Sequence, residues 1–163
     1  MNLKRTPLYE LCLEEGCRIV PFAGWAMPIQ FSGMVNEHLA VRNTAGLFDI
    51  SHMGVFELKG HNLKDSLQAL VPSDLHRIGQ GEACYTLLTN KNGGIIDDLI
   101  IYDLGTNESK QEVLLIVINA ACISNDINWL AKHMKSDSIH IEDVKRNGVF
   151  LALQGPNAQE ILE

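Results

Sequence analysis

The chain has 163 residues, 46% of them hydrophobic and 20% charged, with a formal net charge of −7, which is enough apolar material for one full domain or two small ones with real cores. The acidic balance, with no Lys/Arg run anywhere, excludes a surface that grips nucleic-acid phosphates through charge alone. Apolar runs such as Val113–Ile118 fall far short of a bilayer's thickness, which excludes a helical membrane span.

The amino terminus, Met1 to Pro7, leads into a polar amphipathic segment and shows no apolar secretory core, so a cytoplasmic protein is expected. Cys12, Cys17, Cys84 and Cys122 follow no framework spacing, and reduced thiols are expected. The six His form no H-x-x-x-H or H-E-x-x-H pair, so no metal site is expected.

In chain order, Thr6-Pro7 before Leu8, Leu11 and Leu13 predicts an N-cap and first-turn Pro for a short helix that Gly16 ends. Cys17–Phe22 predicts a strand, and the mixture of aromatics, Gly and Pro from Phe22 to Phe31 an irregular, well-packed loop. Met34–Asn43 predicts a helix ending before Gly46, and Leu47–Leu58 one extended run with a bend or bulge at Gly54. Leu63, Leu67 and Leu70 make a helical stripe within 62–71.

Ala83–Leu88 and Ile95–Tyr102 flank Asn90-Lys91-Asn92-Gly93-Gly94, a hairpin signature because Asn and Gly tolerate positive φ. Glu112–Asn119 predicts a neighbouring strand, 124–134 a helix, Ile139–Ile141 and Gly148–Leu153 short strands, and Asn157 the cap of a closing helix. That order predicts an α+β fold, antiparallel sheets flanked by helices. The closing helix has no C-cap signal and carries an apolar Ile161-Leu162 pair, so the chain is expected to be cut inside a larger fold.

Asp97 and Asp98 stand inside the second hairpin strand. Alternation puts Asp97 with Ile95, Leu99 and Ile101 on one face and Asp98 with Ile96, Ile100 and Tyr102 on the other. A carboxylate between apolar neighbours at i−2 and i+2 resembles one set into a pocket wall, since desolvating it costs several kcal/mol or more. Periodicity alone does not choose between the two acids.

Five stretches, Pro21–Trp25, Phe48–Gly54, Leu88–Asn90 with Gly93–Ile100, Asn119-Ala120 and Leu153–Pro156, together resemble the aminomethyltransferase, or T protein, family of the glycine cleavage system. The resemblance runs in family order across essentially the whole chain and implies a three-domain enzyme more than twice this length. It implies an activity, transfer of a one-carbon unit from an aminomethyl group on the lipoyl arm of the H protein to tetrahydrofolate with release of ammonia. Tetrahydrofolate would be the co-substrate, with no metal, and the H protein the partner, with no nucleic acid and no membrane. Asp98 matches the family's essential aspartate. Met53, Tyr85, Leu115 and Val117 match pterin-lining positions, and Asn119 closes the same strand. The resemblance further implies a first subdomain over 1–50, a second over 51–139 and a return into the first over 140–163. A folate-dependent demethylase, an iron–sulfur repair or tRNA-modification factor, and a noncatalytic fragment are the rival readings.

Overall fold

A computed structural model describes residues 2–134, 139–146 and 148–163. Their contacts divide into two units, Met1–His52 with Asn147–Glu163, and Met53–Arg146. The architecture is α+β, and its sheets are antiparallel apart from one two-residue parallel strand.

The first unit begins with β1 (Lys4–Arg5), α1 (Tyr9–Glu14), β2 (Arg18–Phe22), β3 (Trp25–Gln30), α2 (Met34–Asn43) and β4 (Gly46–Asp49). Helix α1 starts at Tyr9, after Leu8 in the N-cap position, and has no side-chain cap. Thr6 contributes its carbonyl, which accepts from Tyr9 N–H, so the expected Thr6 side-chain cap is not formed. The expected loop from Phe22 to Phe31 is instead a hairpin: β2 and β3 pair antiparallel, with Phe22 opposite Trp25. The two residues between them, Ala23 and Gly24, have φ of 48° and 81°, the positive pair that a tight hairpin turn requires. Pro28 is tolerated in β3 because, among the described residues, β1 pairs with Trp25 and Ala26 and Pro28 has β2 as its one neighbour.

Helix α2 covers the predicted residues, and the Glu37 carboxylate accepts the N–H groups of Phe31 and Gly33 at its start. Those backbone donors hold the Glu37 carboxyl below its usual range. This unit carries a broad apolar groove of about 900 Å³, lined by Leu11, Phe22, Phe31, Met34 and Phe48 among others.

The second unit contains β5 (Gly54–Gly60), α3 (Leu63–Gln68), a single 3₁₀ turn (Leu75–Arg77), β6 (Ala83–Thr89), β7 (Ile95–Thr106), β8 (Glu112–Ile118), α4 (Ile123–His133) and β9 (His140–Asp143). Its sheet runs β6-β7-β8-β5-β9. The expected single run over Leu47–Leu58 is thus two strands in different units, broken by a turn at Ser51–Met53. Residues 140–146, which the sequence boundaries assign to the first subdomain, belong to the second unit because β9 pairs with β5.

One face of the sheet presents Leu58, Leu99, Ile101, Leu114, Ile116 and Ile118 to the core. Leu63 and Leu67 of α3 and Leu130 of α4 pack into the same core. The start of α3 is held from a distance, because the Glu112 carboxylate on β8 accepts the N–H groups of Leu63 and Lys64, a placement that also suits the positive end of the helix. The Lys64 ammonium in turn reaches Asp103 at 2.6 Å and the Ile78 carbonyl at 2.8 Å.

The chain then returns to the first unit as β10 (Leu151–Gln154), antiparallel to β4, and α5 (Ala158–Leu162). Asn157 takes the N-cap position of α5, but its side chain makes no capping bond. Gly155 has φ of +126°, and a Cβ there would stand 2.5 Å from the Thr44 carbonyl oxygen and 2.7 Å from that of Val41. Only glycine fits such a close backbone approach.

Candidate active site

The hairpin places the two acids. Asn90 Oδ1 accepts from the N–H groups of Asn92 and Gly94, and Gly93 has φ of 78°, which is the chemistry the Asn-Lys-Asn-Gly-Gly stretch predicts. Leu88 faces Asp97 and Thr89 faces Ile95, so Ile96 is an extra residue that bulges just before the acids. Beyond it the alternation is regular. Asp97, Leu99 and Ile101 are buried on the core side, and Asp98 is half-buried on the opposite side.

On that opposite face the strand register aligns the residues the sequence singled out. Val55, Val117, Ile100 and Tyr85 are successive cross-strand partners over β5, β8, β7 and β6. Glu57, Leu115 and Tyr102 form a parallel row on one side. On the other side, one residue beyond the aligned Gly54, Ile118 and Leu99, the register brings Met53, Asn119 and Asp98 level. Leu87 completes that row opposite Asp98.

Three of these residues are tied directly. Asn119 Nδ2 donates to Asp98 Oδ1 at 3.1 Å, to the Asp98 carbonyl at 3.3 Å and to Asp97 Oδ1 at 3.0 Å. The Tyr85 hydroxyl donates to Asp98 Oδ2 at 3.0 Å. That bond, together with the Asp98 charge, raises the Tyr85 phenol above its usual pKa, because ionising it would put two anions in contact. Both Asp98 oxygens therefore accept from a neutral donor, which fixes the carboxylate without neutralising it. Met53, Val117 and Leu115 share the face without bonding Asp98, and Leu115 is the most distant, two rows along. Tyr85 is 67% exposed whereas Val117 is buried.

The sequence reading gave no site role to two further groups. Asp126 in the first turn of α4 is fully buried, and Cys122 precedes that helix. Burial and the adjacent Asp97 push the Asp126 carboxyl up to about 7, and burial followed by Asp97 raises the Cys122 thiol to about 11. The signal for Asp126 was present in the spacing: Asp126, Leu130 and Met134 recur every four residues, and all are buried.

The family described as the GCVT N-terminal domain matches residues 8–163. The chain belongs to that family. It is 61% identical over 163 residues to the aminomethyltransferase of Prochlorococcus marinus strain MIT 9303, covering 100% of this chain and 44% of that protein. With the aminomethyltransferase of Synechococcus sp. strain CC9902 it is 62% identical over 159 residues, covering 98% of this chain and 44% of the relative. Among solved structures, the glycine cleavage system aminomethyltransferase T from Bartonella henselae superposes with a TM-score of 0.88 at 36% identity, over 99% of this chain and 43% of that one. The chain thus spans less than half the length of the relatives it matches.

Proposed function

We propose that this chain forms the folate-binding part of a glycine cleavage aminomethyltransferase, with Asp98 as the catalytic carboxylate. The observation that carries the reading is a half-buried acid pinned by Asn119 and Tyr85 on a sheet face whose next row is Val55, Val117 and Ile100. A reduced pterin suits such a surface, since apolar rows can cover its ring system and one carboxylate can hold its N–H edge. Met53, Tyr85, Leu115, Val117 and Asn119 would line it.

Tetrahydrofolate would supply the accepting nitrogens. The donor would be an aminomethyl thioether on the lipoyl arm of the H protein. When its carbon–sulfur bond breaks, sulfur keeps the electron pair and the carbon becomes an iminium cation. The Asp98 carboxylate stabilises that charge, because a preoriented anion in a water-poor site acts far more strongly than bulk water. The carbon ends as a methylene bridge, ammonia leaves, and the lipoyl sulfur takes up a proton as a thiol. Neither Asn119 nor Tyr85 donates a charge to Asp98, so both orient it without cancelling its field. All four cysteines are free thiols, which favours a reducing compartment, the cytoplasm.

In the full-length protein, Asp98→Asn keeps the shape and removes the charge. Aminomethyl transfer from H protein to tetrahydrofolate should fall by about 100-fold or more, with the circular dichroism spectrum and melting temperature little changed. Turnover within a few-fold of the parent would refute the role of Asp98.

A further inference from the structure

Two buried carboxyls near Asp98, Asp97 and Asp126, are not used by the proposed chemistry. Asp126 is fully buried. Its Oδ1 accepts from Asn125 Nδ2 at 3.3 Å. Its Oδ2, like Oδ2 of Asp97, is sealed from solvent with no N–H or O–H partner among the described residues. Asp126 lies within hydrogen-bonding reach of Asp97, and the Cys122 thiol offers Asp97 only a weak S–H donor, so two ionised carboxylates in this dry site would repel and leave the Asp126 Oδ2 without a donor. One shared proton removes both problems, since a protonated carboxyl is a donor. The groups bearing on the pair are Asp98 on β7, the Cys122 thiol ahead of α4 and the Asn125 amide beside it; none of them is a cation.

We propose that Asp97 and Asp126 hold a single proton between them and that Asp126 is a positioning residue, acting through Asp97 and Asn119 to orient the Asp98 carboxylate. The proton lets Asp126 donate to Asp97 and leaves one negative charge on the pair. Asp97 Oδ1 is then fixed as the acceptor of one Asn119 Nδ2–H, and the other Nδ2–H is aimed at Asp98. Because both neighbours of Asn119 are acceptors, its amide cannot turn its oxygen toward either without losing a bond. The order of donation, Asp126 to Asp97, Asn119 to both Asp97 and Asp98, and Tyr85 to Asp98, reaches from helix α4 to the opposite face of the sheet. The upward shift of the Asp126 carboxyl is the shift such sharing produces.

This inference rests on the reading of Asp98 as the reacting group, so its test has a readout independent of chemistry. Carbon-13 titration of aspartate carboxyls in this chain should show one group with a midpoint near neutrality, absent in Asp126→Asn. The Asn119 side-chain amide resonances should keep their positions in Asp126→Asn, where an amide N–H replaces the carboxyl O–H, and move in Asp126→Leu, which has no donor. In the full-length protein Asp126→Leu should lower kcat for aminomethyl transfer by about tenfold, the cost of one displaced bond to a charged group, with Asp126→Asn restoring it and flattening the pH profile near neutrality. The proposal is overturned if no aspartate titrates near neutrality, or if Asn119 resonances are the same in Asp126→Leu as in the parent. If Asp126→Leu does not fold, the parent titration and the Asp126→Asn spectrum still decide. A parent that shows the shared proton and the Asn119 response, yet whose full-length form transfers no one-carbon unit, would sink the functional reading and leave the pair standing.

Discussion

The Lys64–Asp103 pair offers the sharpest test of how the second unit is held together. Lys64 Nζ lies 2.6 Å from Asp103 Oδ2, with side-chain exposures of 15% and 8%, so both charges are largely withdrawn from water. Lys64→Met keeps most of the apolar stem and deletes the ammonium. Asp103 then retains the Gly105 N–H on Oδ1 at 2.8 Å but has no cation for Oδ2, and the Ile78 carbonyl loses its donor. Removing one member of a buried pair typically costs 3–5 kcal/mol; the residual exposure and the Gly105 bond argue for the lower end, about 3 kcal/mol. The double variant Lys64→Met/Asp103→Leu removes the stranded charge as well and should recover about half of that loss, the remainder reflecting the Gly105 and Ile78 partners left unbonded.

The assay is urea unfolding followed through Trp129 in α4, which reports on this unit, with Trp25 in β3 reporting on the other. With a urea slope of about 1–1.5 kcal/mol/M, the single variant's midpoint should fall by about 2–3 M and the double variant's by about 1–1.5 M. The Trp25 transition serves as an internal control. A single variant within about 0.5 kcal/mol of the parent, or a double variant that loses as much as Lys64→Met or more, would refute the account.

Other expectations follow from the same physics. The folded Asp126 carboxyl sits near 7, above its ordinary value, so the folded state binds the extra proton between pH of about 4 and 7. Its contribution to stability is therefore largest at low pH, declines as pH rises toward 7 and is flat above it. The parent minus Asp126→Asn difference in urea midpoint should follow that curve, and parallel pH profiles would contradict it. Gly155→Ala forces a Cβ against two backbone carbonyls of the 41–45 segment and should cost at least about 2 kcal/mol, read as an early Trp25 transition with Trp129 little affected. Leu114→Ala empties a fully buried position in the sheet core and should cost about 3 kcal/mol on the Trp129 transition; a loss below about 1 kcal/mol would mean the core collapses to fill the space.

Where local chemistry decides the outcome, the sequence was readable. Asn90 and Gly93 make the hairpin turn by the bonds their types favour, helix α2 covers the predicted residues, and alternation separates Asp97 from Asp98 onto opposite faces. Where partners lie far along the chain, it was not. Helix α3 takes its N-terminal acceptor from Glu112, 49 residues away from Leu63, and no local motif carries that information. The aromatics, Gly and Pro of Phe22–Phe31 argued for a loop, yet Pro28 sits in β3 at a place where, among the described residues, only β2 pairs beside it. Alternation continued through Leu47–Leu58 and hid the turn at Ser51–Met53, since strand propensity says nothing about which sheet a residue joins. The same limit applies at the candidate site. Residue types pointed to an acid in the hairpin, whereas the Asn119 bridge and the buried Asp126 depend on how strands and helix meet.

Hydrogen bonds at the chain ends of each unit have a consequence for how such a chain can be rebuilt. Val144 N–H donates to the Val55 carbonyl and Lys145 Nζ to that of Met53, so the segment that begins at Met53 finishes beside its own start. On the other side of the cut, Ile50 N–H donates to the Phe150 carbonyl, and Phe150 N–H to the Ser51 hydroxyl. Entry and exit are thus each clamped as a neighbouring pair, the geometry of a cassette inserted into a host. A few-residue bridge between His52 and Gly148 could close the host, and the excised cassette, its ends already adjacent, is suited to joining head to tail or to being opened at a new place such as the Asn90–Gly94 turn.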